Sequence, residues 1–182
     1  MIGKAWILLL PALLAASPAA LPKDKSKPVR HALEQRYAEL ARAVETRNLA
    51  LFQSLRTATF HTRDLDGRES DAAAMRERSR RMLEGLRPPI HSSFDLGTID
   101  VQGDRAVATV TQHFSRMQMV AGRLRKVDTS VTQDETWIRT AEGWKLETVD
   151  NERDLLWFVD GKRVKPGAPY DPDASPYQPP SS

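Results

Sequence analysis

At 182 residues, with 40% hydrophobic and 28% charged side chains, the chain has the apolar content for one packed core and too much of it for a disordered polymer. It holds no cysteine, which excludes a disulfide scaffold, thiolate zinc centres, a cysteine nucleophile and a lipid-modified N-terminal cysteine. Its 27 basic residues stand against 24 acidic ones, a net charge of +3 that demands no nucleic-acid partner.

The prolines partition the chain. Four lie at or before Pro28, six run from Pro166 to Pro180, and only Pro88 and Pro89 fall between. Proline removes a backbone donor, so the hydrogen-bonded body is expected over 30–164. In front of it, Lys4, an apolar run over 5–14 and the small residues Ser17-Pro18-Ala19 have the layout of an export signal over 1–19, followed by a polar linker over 20–29. This predicts a periplasmic or secreted protein. The apolar run is shorter than the ~20 residues that span a bilayer, so no stable membrane anchor is expected, an uncleaved signal being the alternative. The far end, 165–182, is proline-rich and reads as a disordered tail.

Within the body, Leu33, Tyr37, Leu40, Ala41 and Val44 recur at helical spacing and predict an amphipathic helix over 30–47. Asn48 can cap a second, short helix carrying Leu49, Phe52 and Leu55. Residues 57–65 read as a strand ending at the Asp66-Gly67 turn. A third helix is expected from Ser70 as its cap, carrying Met75, Met82, Leu83 and Leu86 inward until Pro88-Pro89 stop it. Its other face gathers Arg76, Arg78, Arg80 and Arg81, with Arg87 beyond: a solvated face, or a basic patch for an anionic ligand.

The second half changes to strand periodicity. Gly103-Asp104, Ala121-Gly122 and Glu142-Gly143 are candidate two-residue loops of an antiparallel meander. Such loops set register. The first puts Val101 opposite Ala106 and Ile99 opposite Ala108. The second puts Gln112 opposite Val131, Phe114 opposite Thr129, Ala108 opposite Glu135 and Ala106 opposite Trp137. The third puts Trp137 opposite Thr148 and Glu135 opposite Asp150. One face then carries Ile99, Val101, Ala106, Ala108, Val110, Phe114, Val131, Trp137, Trp144 and Leu146, and the helices must cover it. The other is rich in Thr and Ser and carries His113.

Gln112, Gln133, Glu135 and Asp150 are the polar residues expected on the covered face. An unpaired carboxylate there costs several kcal/mol. Glu135 and Asp150 therefore need a wet cavity, where one would have a raised pKa suited to acid–base chemistry, or they sit at the rim of the sheet or pair with Arg139 or a helix arginine. The four histidines lack ligand spacing and no glycine loop could cradle phosphate, so no metal and no cofactor are implied. Arg116, Arg123, Arg125 and Lys126 make a basic hairpin tip, read as solvated, with anionic lipid or nucleic acid as the alternative contact.

The order of elements, with Asp134-Glu135-Thr136-Trp137-Ile138-Arg139 and Glu142-Gly143-Trp144-Lys145-Leu146 closing the meander, resembles the nuclear transport factor 2-like superfamily, near its SnoaL-like and DUF4440-like bacterial members. The resemblance implies an α+β fold: a cone-shaped barrel of strongly curved antiparallel sheet packed on three N-terminal helices, with an internal pocket and often a homodimer through the outer sheet face. The cone hosts isomerases, dehydratases, cyclases and non-catalytic binding modules alike. The expectation here is a binding module for a small hydrophobic molecule, with Tyr37, Gln112, Phe114, Gln133 and Trp137 lining the pocket. The alternatives are a proton-transfer enzyme with Glu135 or Asp150 as base and Tyr37 as hydrogen-bond donor, and a dimeric interaction module.

Overall fold

The computed structural model describes residues 26–63, 67–165 and 168–178. The expected export signal, the front of the linker and Asp66 of the expected turn lie outside them.

Helix α1 runs Ser26–Glu45, so 26–29 are its first turn where linker was expected. Pro28 is tolerated there because the first four helical N–H groups have no intrahelical acceptor. Leu33, Tyr37, Leu40 and Val44 form the buried stripe as expected, with Ala43 completing it and Ala41 half-exposed. Asn48 caps α2 (Leu49–Ser54) by accepting from the Leu51 N–H at 3.0 Å. Strand β1 (Arg56–Arg63) follows and pairs with the two-residue β2 (Glu69–Ser70). Ser70 is therefore in a strand, and Asp71 caps α3 (Ala72–Gly85), its carboxylate accepting from Ala74 N–H at 2.8 Å. Met75, Ser79, Leu83 and the following Leu86 point inward, and Met82 faces out.

The meander consists of β3 (Arg87–Gln102), β4 (Arg105–Val120), β5 (Arg123–Thr140) and β6 (Gly143–Val159), and the short β7 (Lys162–Arg163) pairs with β6. The strand order is β2-β1-β6-β5-β4-β3, with β1 parallel to β6 and every other pair antiparallel. The two edges do not pair, so the expected barrel is instead an open, curved sheet wrapped on the helices.

The first two turns and their registers are as expected, with Ala108 opposite Glu135 and Ala106 opposite Trp137. The third differs. Thr140 pairs with Gly143, so the turn is Ala141-Glu142, and glycine's freedom is used just after it, at φ +99°. The Arg36 guanidinium packs where a Gly143 Cβ would stand and donates to the Glu142 carbonyl at 2.8 Å. A bulge then leaves Glu147 unpaired between Leu146 and Thr148, which reverses the in–out parity of β6. Glu135 consequently faces Val149, and Asp150 faces Asp134.

The core gathers the α1 stripe, Phe52, Leu55, Phe60, Met75 and Leu83 against Ala106, Ala108, Val110, Trp137, Trp144 and Leu146. Val127 and Val159 are equally buried but lie outside this cluster, at the far end of the sheet. There the proline-rich segment, expected to be a free tail, folds back over residues 168–178. Tyr170 stacks on the Arg125 guanidinium at 4.9 Å, Lys162 Nζ donates to the Pro172 carbonyl at 2.8 Å, and Tyr177 N–H to the Arg163 carbonyl at 3.0 Å. A chain ending at Lys165 is expected to lose about 1–2 kcal/mol in urea unfolding through these contacts. An unchanged midpoint would show that the segment is only laid on the surface.

Candidate functional site: a buried tyrosine, glutamate and tryptophan cluster

Strand β5 projects Gln133, Glu135 and Trp137 from alternate positions onto the covered face, beneath Tyr37 of α1. Tyr37 Oη donates to Glu135 Oε2 at 2.9 Å and accepts from Trp137 Nε1 at 3.1 Å. Gln133 Nε2 donates to Glu135 Oε1 at 2.6 Å. The Tyr37 and Trp137 rings meet edge to face at 5.3 Å, and Phe94 of β3 lies 5.1 Å from Tyr37. Glu135 is 2% exposed, and among the described residues no cationic side chain is within ion-pair distance of it.

Burial dominates the electrostatics. It raises the Glu135 pKa above the ordinary carboxyl value, although the bonds from Gln133 and Tyr37, the nearby Trp137 N–H and the charge of Arg56 pull the other way. Burial, followed by the nearby Glu135 charge, also raises Tyr37 well above the usual phenol range, which keeps its hydroxyl a proton donor. The cluster thus presents a carboxyl group of increased proton affinity bonded to a neutral phenol. Such a group can hold a proton, or give and take one, close to a bound molecule.

Of the residues expected to line a pocket, Tyr37, Gln133, Glu135 and Trp137 come together. Gln112 is half-buried and sits opposite Phe94 across the β3–β4 ladder. Phe114 lies two residues further along, partly buried at the core's edge, with the Arg116 guanidinium 4.6 Å over its ring. Asp150 is not part of the site. The β6 bulge turns it to the outer face, where its neighbour Asp134 is held by Thr109, Asn151 and Arg153. The Tyr37, Trp137 and Phe94 rings pack together at this site, and beside them a groove of about 280 Å³ opens between α1 and β3, with Tyr37, Ala41, Phe94 and Leu96 among its apolar lining and Glu34 and Ser92 among its polar lining.

Two participants escaped the sequence reading. Phe94 turns inward because the β3–β4 register shifts between Leu96 and Ile99; a lone glycine inside a strand, Gly97, was the available signal. Its backbone lies so close to Thr109 that an added Cβ would stand 3.0 Å from the Thr109 carbonyl oxygen. Arg56, whose charge reaches Glu135, is flanked by Phe52 and Phe60 at four residues on either side.

No protein-family model matches the chain, and no curated protein does. Solved structures match well. A nuclear transport factor 2-like superfamily protein from Salmonella enterica superposes with a TM-score of 0.55 at 16% identity, over 80% of this chain and 99% of that one. A candidate dehydratase of the nuclear transport factor 2-like family from Streptomyces avermitilis gives 0.55 at 16% identity, over 66% and 93%. The chain has the nuclear transport factor 2-like fold. A third structure with a similar backbone, a type 2 hexachlorocyclohexane dehydrochlorinase, gives a TM-score of 0.58 at 10% identity, over 80% and 95% of the two chains. At these identities the likeness is one of fold.

On this version of the fold, Tyr37→Phe isolates the contribution of the network. It leaves Glu135 Oε2 and Trp137 Nε1 without their shared partner while keeping the ring packed. The expected loss is about 1–3 kcal/mol, the cost of buried polar groups left unpaired, read from urea unfolding at neutral pH. A loss of a few tenths would mean that water replaces the hydroxyl.

Proposed function

We propose that the protein binds a small, mainly apolar molecule in the groove between α1 and β3, with Phe94 and Tyr37 as its apolar wall and the Tyr37–Glu135 pair as its polar contact. One observation carries this reading: a fully buried carboxyl, held by neutral donors instead of a cation, stands behind a residue that lines the groove. A fold gains nothing in stability from such a group relative to an apolar one, whereas a few convergent polar atoms behind an apolar wall are the usual make-up of a small-molecule site. Native mass spectrometry of the protein purified from its own host reads out the occupant directly. The reading expects a bound species whose retention drops when Phe94 is changed to Ala or Tyr37 to Phe. Retention that is indifferent to both substitutions contradicts it.

The raised proton affinity of Glu135 favours a second reading, a proton-transfer or lyase reaction with Glu135 as base and Tyr37 as donor to developing negative charge. The dehydratase and dehydrochlorinase names of two similar structures are compatible with it. In that case Glu135→Gln keeps binding but removes turnover, including deuterium exchange from solvent into the bound molecule. Export remains part of the proposal, supported by the apolar segment over 5–14, and is tested by N-terminal sequencing of the mature protein.

A further inference from the structure

A second polar centre lies on the other side of the core, where α2, β1 and α3 meet. The Arg56 guanidinium carbon is 4.1 Å from the centroids of both the Phe52 and Phe60 rings. One edge of the guanidinium is satisfied, with Nη1 donating to Ser79 Oγ at 2.9 Å, and Ser79 in turn donates to the Met75 carbonyl. The Nε is buried and has no acceptor. Among the described residues no carboxylate is within ion-pair distance of Arg56. The interior acid that its charge reaches, Glu135, has both oxygens bonded to neutral donors.

This is an uncommon arrangement. Arg56 as a residue is half-buried with its Nε fully covered, and an arginine cannot shed its proton, so the part of its charge withdrawn from water without a counter-charge is a cost to the fold. Burial lowers the Arg56 pKa only to about 10, so the group is cationic at neutral pH. The two rings offset part of the cost through their π faces, but those faces do not satisfy an N–H in the guanidinium plane.

Arg56 also lines a cavity of about 40 Å³ together with Gln53, Thr57, Phe60, Ala72 and Arg76. Its lining has two arginines, an amide and a hydroxyl, and no acid. Arg76 has no ion pair among the described residues, unlike its neighbours Arg80 and Arg81, which Glu77 and Glu84 engage. Ala72 is the first residue of α3, whose N-terminal end is already capped by the Asp71 carboxylate, so the positive character of the space comes from the two arginines. The volume is a few times the ~10–15 Å³ of such space that one water needs, which is room for a small anion.

We infer that this cavity binds one small monovalent anion, of halide or formate size, as the counter-ion of Arg56, with Arg76 as its outer clamp. The site is separate from the groove, and its test does not depend on what the groove holds.

The test uses the full chain in sodium gluconate at fixed ionic strength, titrated with sodium bromide, chloride or formate. The expected result is a saturable rise in Tm and, in crystals soaked in bromide, an anomalous peak beside Arg56 and Arg76. Arg76→Gln, on an exposed position that should fold normally, is expected to raise the half-saturating concentration about threefold or more, the fold-change set by one partly screened charge contact. Arg56→Gln should abolish the response; if that variant does not fold, the Arg76→Gln shift and the bromide position still decide. Saturation by formate as well as halide assigns a site for any small anionic head, and saturation by halide alone a halide site. A response that climbs without saturating and is equal in Arg76→Gln overturns the inference, as does bromide located elsewhere.

Discussion

Trp137→Ala is expected to destabilise the protein by about 3–5 kcal/mol, the range for emptying a buried large aromatic position. Trp137 is fully buried in the middle of β5, between Ala106 on β4 and Leu146 on β6. Ala106 is too small to fill the space, and Leu146 is already packed in the core and can fill only part of it. The loss has two parts. The ring forfeits its packing and its edge-to-face contact with Tyr37, and the Tyr37 hydroxyl loses the Nε1–H that fixes its orientation toward Glu135. Because a domain of this size is stable by only about 5–15 kcal/mol, the variant should unfold at clearly lower urea concentration. Trp157→Ala is the comparison, since that ring is half-exposed and its buried Nε1 has no acceptor. A Trp137→Ala cost no larger than that of Trp157→Ala would remove the cluster from the centre of the core.

Glu135→Gln is expected to change how stability depends on pH. The folded-state pKa of Glu135 is raised above its unfolded value of 4.5, so the folded protein holds this proton more tightly than the unfolded chain does. The stabilising contribution is fully present below pH 4.5 and is lost as pH rises through the folded-state pKa, at about 1.4 kcal/mol for each pH unit in that window. Glutamine is permanently neutral and can still bond Tyr37 and Gln133, because the phenol can accept and the Gln133 amide can turn. The variant should therefore match the parent near pH 4 and exceed it in stability at pH 8. Asp134, on the opposite face, works with the other sign: burial pushes its pKa up, but bonds from Arg153, Asn151 and Thr109 and the charge of Arg153 bring it below 3.8. Its contribution is lost only as pH falls below that value. The two windows do not overlap, so a pH series of urea midpoints separates them, and parallel curves for parent and Glu135→Gln would rule out the raised proton affinity.

Asp150 shows where periodicity stops being a guide. Reading Glu142-Gly143 as the turn paired Glu135 with Asp150 across one ladder and suggested two carboxyls in one pocket. The observed turn lies one residue earlier, and the Glu147 bulge reverses parity, so a single extra residue moves Asp150 through the sheet. The β4–β5 ladder has no such interruption, and there every expected neighbour of Glu135 and Trp137 is in place. Phe94 and Asp150 failed for the same reason in opposite senses: one bulge brought a ring into the site and another took an acid out.

Local patterns along the chain are enough to set the α1 stripe that delivers Tyr37, the β4–β5 register that aligns Gln133, Glu135 and Trp137, and the apolar face that α1 must cover. These depend on turn residues and on side-chain periods of 3.6 and 2, which act between residues close in the chain. Packing in three dimensions sets the rest: the sheet stays open, β1 runs parallel to β6, the proline-rich segment returns to Arg125, and Arg56 lies half-buried beside Ser79 without a counter-charge. Those outcomes follow from packing between segments far apart in sequence. There the desolvation of a charge and the space left between helices outweigh any local preference.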